Sequence, residues 1–134
     1  MRKWMLLAAG PIAVGLALFH LYTGYFGVLV ALLQKSIHLQ VVMALVFLLR
    51  PLSEKHRDHP LVVVADLALL IAAMVVFGYV TFQYEYIISR EGLASPVSDA
   101  EYALGIAAFV ILLEAVRRCA GWPLAAVTGA ALLY

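Results

Sequence analysis

Long apolar runs broken by short polar stretches dominate this chain. The two-residue alternation of a half-buried strand is absent from them. A helix that crosses a bilayer needs about 20 mostly apolar residues. The pattern predicts such helices over about residues 4–22, 28–49, 61–82 and 101–116, followed by an apolar piece, 123–134, that is only about half a crossing. Gly10-Pro11 is expected to kink the first helix, which neighbouring helices tolerate in a membrane. The uncharged stretch YTGYFG (22–27) reads as a tight interfacial turn with its rings at headgroup level. Pro51 and SEKHRDHP (53–60) read as a solvated loop. QYEYIISREGLASPVSDAE (83–101) reads as a second polar connection whose first half continues as helix. Within it, Ser98-Asp99 followed by Glu101 is a helix-start pattern. RRCAGWP (117–123) interrupts the last apolar region. The piece beyond it is either the far end of a bent fourth helix or the start of a fifth.

Composition fixes the solvent. Of 134 residues, 66% are hydrophobic and 13% charged, with a mean hydropathy of +1.01. A soluble domain is about half apolar and about a quarter charged, so this chain has too little polar surface to cover a water-soluble globule. The expected fold is one all-α, multi-pass transmembrane bundle over residues 1–134, with four long helices and a short fifth at the C-terminus. Arg2 and Lys3 before the first span raise the rival reading of a signal peptide. The apolar run is long for that, and no A-x-A site leading into a soluble domain follows it. With a net charge of +1 and no basic block, no nucleic-acid partner is expected. The one cysteine, Cys119, excludes an internal disulfide and reads as an apolar filler.

Loop charges set the expected orientation, because short cytoplasmic loops collect Lys and Arg. Arg2 and Lys3, then Arg50, Lys55 and Arg57, then Arg117 and Arg118 fall on one side. The opposite side has the uncharged 22–27 turn and a segment with Arg90 among Glu85, Glu91, Asp99 and Glu101. The N-terminus is therefore expected in the cytoplasm, in a cytoplasmic (inner) membrane.

Polar residues inside the apolar runs carry the candidate chemistry. LLQKSIHLQ (32–40) places Gln34, Lys35 and His38 three and four residues apart, on one helical stripe that should face protein or water rather than lipid. A lysine that reaches up to the headgroups and a histidine bonded to a neighbouring helix explain them first. Docking against a partner subunit and contact with a transported solute are the sharper alternatives. His20 and His38 together suggest a weaker alternative, axial ligation of a haem, although their estimated depths differ. His56 and His59 share a loop with Asp58 but lack a metal-site spacing. Asp66 lies near the start of the third span, where the helix dipole favours a carboxylate. Glu114 precedes Arg117 and Arg118 by three and four residues, which allows local ion pairs. Asp66, Arg50, Glu114, Arg117 and Arg118 share one level and could form one network. No nucleophile–base pair, phosphate loop or metal box is apparent, so no enzymatic activity and no cofactor of the chain's own is expected.

Three stretches in order, LFHLYTGYFGVLVALLQKSIHL (18–39), VFLLRPL (46–52) and ILLEAVRRCAGWPLAAVTGAALLY (111–134), resemble the small-subunit-like N-terminal part of fused permeases of the tripartite ATP-independent periplasmic (TRAP) transporters. The variety most similar is the one served by a TAXI-type binding protein. The likeness lies in the aromatic turn at Leu21–Gly27, the LQ-basic-x-IHL start of the second span at Leu33–Leu39, and the LEA-x-RR-x-x-GW junction at Leu113–Trp122. It implies a bacterial or archaeal secondary transporter for organic acids. In that family a periplasmic TAXI-type solute-binding protein delivers the solute. A large permease subunit carries the solute and coupling-ion sites, usually for sodium, and the small subunit braces it. Large-subunit sequence is not part of this chain, which leaves a stand-alone subunit and a piece of a fusion both open. The resemblance recasts Gln34, Lys35 and His38, and Glu114, Arg117 and Arg118, as features that dock against the large subunit.

Overall fold

The computed structural model describes residues 3–27, 29–90 and 96–133, and all its regular elements are helices. In chain order these are α1 (Lys3–Phe26), α2 (Ala31–Leu49), α3 (Pro60–Phe82), α4 (Tyr84–Ser89), α5 (Asp99–Ala120) and α6 (Trp122–Leu133). Arg2, Val28, Glu91 and Tyr134, which entered the reading of charges and span limits, lie outside the described residues.

α1, α2 and α3 are each long and apolar enough to cross a membrane. The multi-pass membrane class rests on the length and composition of these three helices. α5 has 22 residues, about 33 Å at 1.5 Å per residue, but Asp99, Glu101, Glu114, Arg117 and Arg118 crowd its two ends.

The helix limits follow local chemistry. Pro60 opens α3 at a position where its missing N–H is no loss. His59 caps the same end through Nδ1, which accepts from the Leu61 N–H at 3.3 Å. α5 begins with a full capping box. The Glu101 N–H donates to Ser98 Oγ at 3.3 Å, and the Ser98 N–H donates back to Glu101 Oε2 at 2.8 Å. Gly121, at φ +85°, ends α5. α6 then folds back along α5, so that Gly129 lies against Leu113. This hairpin makes the last apolar piece a separate helix, not the far end of a bent fourth one.

One expected turn is displaced. The YTGYFG stretch was expected to be non-helical, yet α1 continues through Phe26 and breaks only at Gly27, where φ is +114°. The Thr23 hydroxyl donates to the His20 carbonyl at 3.2 Å, a bond compatible with helix, and Gly24 keeps helical geometry. Pro11 lies inside the same continuous helix.

α2 is the central helix. Its most extensive pairing is with α3, while α1 packs on another of its sides and α5 leans on both α2 and α3. Met43 and Phe47 of α2, Ala73, Val76 and Phe77 of α3, and Ile111 and Ala115 of α5 form the main core. A smaller cluster, Met5, Ala9, Leu48 and Val63, seats the start of α1. Contact is close at Gly78, where an added Cβ would come within 3.1 Å of Gln40 Nε2. Gln40 bonds the Met74 carbonyl and the Thr81 hydroxyl, each at 3.3 Å, and so ties α2 to α3. The outward faces stay apolar: Leu7, Val14, Leu18 and Leu21 of α1, and Leu61, Val64, Ile71 and Val75 of α3, are all exposed. Helices apolar on every side are those of a membrane span.

Candidate functional site

Polar side chains gather at the two ends of the bundle. At the end formed by the last turn of α2, the start of α3 and the end of α5, Arg118 is the hub. Its side chain is only 1% exposed, and that of Asp66 is 0% exposed. Arg118 Nη1 donates to Asp66 Oδ1 at 2.6 Å and to the Arg50 carbonyl at 2.8 Å, and Nε donates to Glu114 Oε1 at 2.7 Å. The guanidinium lies over the Phe47 ring, 5.0 Å from its centroid. Asp66 also accepts from the Leu52 N–H at 3.1 Å, which fixes the chain just after α2. Glu114 grips Arg117 with both oxygens, each at 2.7 Å, and Arg117 in turn lies 5.4 Å from the centroid of Trp122.

Two acids and two arginines thus close on one another. Charge-assisted bonds of this length are the strong kind, and pairing is what makes burial of such charges tolerable. The residues that share this level join in one network, with Arg50 contributing its backbone carbonyl. Asp66 and Arg118 are turned wholly inward between the chain's own helices, whereas Glu114 and Arg117 keep 20% and 21% of their side chains exposed. Glu114 and Arg117 can therefore also touch another protein, as can the exposed Arg50. Arg118 Nη2 has no partner among the described residues.

At the other end, the 34–38 stripe divides. His38 turns to α1, and its Nδ1 lies 2.7 Å from His20 Nε2, with ring centroids 4.8 Å apart. The two were expected at different depths because the first helix was ended at residue 22. With α1 running to Phe26 and α2 starting at Ala31, they stand level. The two facing nitrogens bond each other. A metal ion held between them, at roughly 2 Å from each, would need about 4 Å of separation, so this arrangement does not fit axial ligation of one iron. Gln34 is half-buried and Lys35 exposed. Both line, with His20 and His38, a groove of about 660 Å³ between α1 and α2. Ser36, buried beside them, donates back to the Leu33 carbonyl at 3.0 Å.

A second polar group at this end was not singled out from sequence. Arg90 donates to Glu101 at 2.7 Å, and the Tyr79 hydroxyl donates to the same carboxylate at 3.3 Å, joining α3, the end of α4 and the start of α5. Glu101 was read as a helix-start signal and Arg90 as a loop charge. That they meet depends on the approach of α3 to α5, which neither residue's neighbours in sequence reveal. In the 53–60 loop, His56 Nδ1 lies 3.5 Å from Ser53 Oγ and His59 serves as a helix cap. No group of three or more His, Cys, Asp or Glu among the described residues is placed to hold a metal ion.

Between these ends the helices are bare of polar side chains: residues 5–19 of α1, 41–49 of α2, 67–78 of α3 and 103–113 of α5 carry none. The polar groups therefore cluster toward the helix ends, and midway along α2 the Gln40 side chain is spent on α3. Neither a family model, a curated protein nor a solved structure matches the chain.

Proposed function

We propose that this chain is a membrane scaffold: the small subunit, or the corresponding part of a fused permease, of a TRAP-type secondary transporter that imports organic acids. Its partners on this reading are a large permease subunit, which carries the solute and coupling-ion sites, and a periplasmic TAXI-type binding protein. The observation that carries the scaffold reading is the uncharged, largely apolar middle of the bundle, where Gln40 is spent on α3, together with charges that close on one another at its ends. A stand-alone secondary transporter needs a polar site near the bilayer midplane, and a brace needs only helix faces and boundary anchors. The three ordered sequence stretches carry the assignment to this family.

In this reading α5 is the fourth crossing. Glu101, Glu114, Arg117 and Arg118 at its ends are paired, which lowers the cost of bringing them to the membrane boundary. The Lys/Arg-rich end is cytoplasmic, and α6 re-enters from that side along α5.

The test is purification of the tagged chain from its native membranes in mild detergent. The expected result is a large TRAP-type permease in stoichiometric yield, identified by mass spectrometry. Arg117→Ala should lower that yield several-fold while the level of the chain itself is unchanged. Arg117 is the better probe because Glu114 also holds the buried Arg118. A chain recovered without the permease would sink the reading, and a haem absorption band in the purified chain would favour a redox anchor instead.

A further inference from the structure

α2, α3, α4 and α5 enclose a cleft of about 460 Å³ at the His38 end of the bundle. Its walls are apolar, chiefly Leu39, Val76, Val80, Ile87, Leu104 and Ala108, and its polar lining comes from Lys35, Ser36, Tyr79, Arg90 and Glu101. The volume is that of a ligand pocket, typically about 300–1,000 Å³. The charges of the lining do not balance. Glu101 is bound by Arg90, Tyr79 and the Ser98 cap, and Ser36 is spent on the Leu33 carbonyl. Lys35 is exposed and makes no ion pair among the described residues. Among the described residues one cation, Lys35, therefore remains without an ion pair at the rim of a mostly apolar cleft.

We infer that this cleft holds an acyl chain of an anionic phospholipid, whose phosphate pairs with Lys35. The occupant has to be amphipathic, with one negative head and an apolar tail, because the cleft offers one uncompensated positive charge above apolar walls. In a bilayer the walls give little selectivity, since a tail leaves lipid to enter them and gains no hydrophobic energy. Discrimination comes from the headgroup, through Lys35, where a cation near the membrane surface contributes about fivefold in affinity for an anionic lipid. This inference needs the multi-pass membrane class and does not depend on the transporter assignment.

The test is native mass spectrometry of the whole detergent-purified chain, titrated with phosphatidylglycerol and, separately, with phosphatidylcholine of the same acyl chains. Wild type should retain one phosphatidylglycerol about fivefold more strongly than phosphatidylcholine. Lys35→Gln should erase that preference. Gly105→Phe should remove retention of both lipids by filling the cleft. Gly105 lines the cleft, and a Cβ there meets nothing within 4 Å, so the backbone tolerates a side chain. Unchanged circular dichroism of both variants shows that they fold. Equal retention of the two lipids by wild type, or a preference that survives Lys35→Gln, would overturn the inference. So would a dimer mass with no lipid bound, which would mean that a second copy covers the cleft.

Discussion

Arg118 and Asp66 are an ion pair whose value shows only when one member is missing. Both side chains are buried, so removal of either takes from the other a charged partner that water cannot replace, leaving Arg118 to Glu114 or Asp66 to the Leu52 N–H. Asp66→Ala is expected to lower stability by about 3–5 kcal/mol. The double variant Asp66→Leu with Arg118→Leu should recover most of that loss, because an apolar pair of similar bulk needs no desolvation. Denaturant unfolding in detergent micelles measures both, and strict additivity of the two single effects would refute the coupling. His20 and His38 are a milder case. Their single hydrogen bond is worth about 1 kcal/mol net, and His20→Ala and His38→Ala should each cost about that amount. The double variant should cost little more than either single one, since the same bond is lost once. Sequence spacing placed Glu114 beside Arg117 and Arg118, because partners three and four residues apart are neighbours on any helix. The bond between Asp66 and Arg118, separated by 52 residues, was expected only as a shared level.

Among the elements, the apolar runs were legible because their lengths match a bilayer. α2 ends at Leu49, and α3 spans Pro60–Phe82 against an expected 61–82. The limits that moved are those where composition and conformation disagree. Aromatic residues and Gly24 in 22–27 look like a turn but lack a residue that forces one before Gly27. Conversely, Gly121 decides the last element. Its φ of +85° with ψ of +177° lies in a region essentially reserved for glycine. Gly121→Ala should cost about 1–3 kcal/mol and release α6 from α5. Faster hydrogen exchange over residues 122–131, with α2 and α3 unchanged, is the expected signature. Unaltered exchange there would show that the hairpin does not depend on this glycine.

For the molecule as a whole, a central α2 flanked by α1 on one side and by α3 and α5 on another leaves broad apolar faces that one chain cannot cover. Hydrophobicity alone conveyed the class. The packing order was not legible, since helices apolar all round carry no stripe to say which face meets which neighbour. Orientation can be read with the chain's own chemistry. Cys119 is the one cysteine and is exposed beside Arg118. If the N-terminus is cytoplasmic, a membrane-impermeant maleimide should label Cys119 in inverted vesicles and not in right-side-out ones. The opposite pattern would reverse the orientation.

The distance along the chain between Asp66 and Arg118 also imposes an order on biogenesis. Helices α1 to α3 leave the ribosome with the carboxylate already in place, and its counter-charge is synthesised 52 residues later. Until α5 arrives, the Asp66 site of the nascent protein has the Leu52 N–H but not the Arg118 guanidinium. Completion of α5 acts as the latch that closes it. Any product that stops short of residue 118 lacks this partner for Asp66 and keeps that site unfinished.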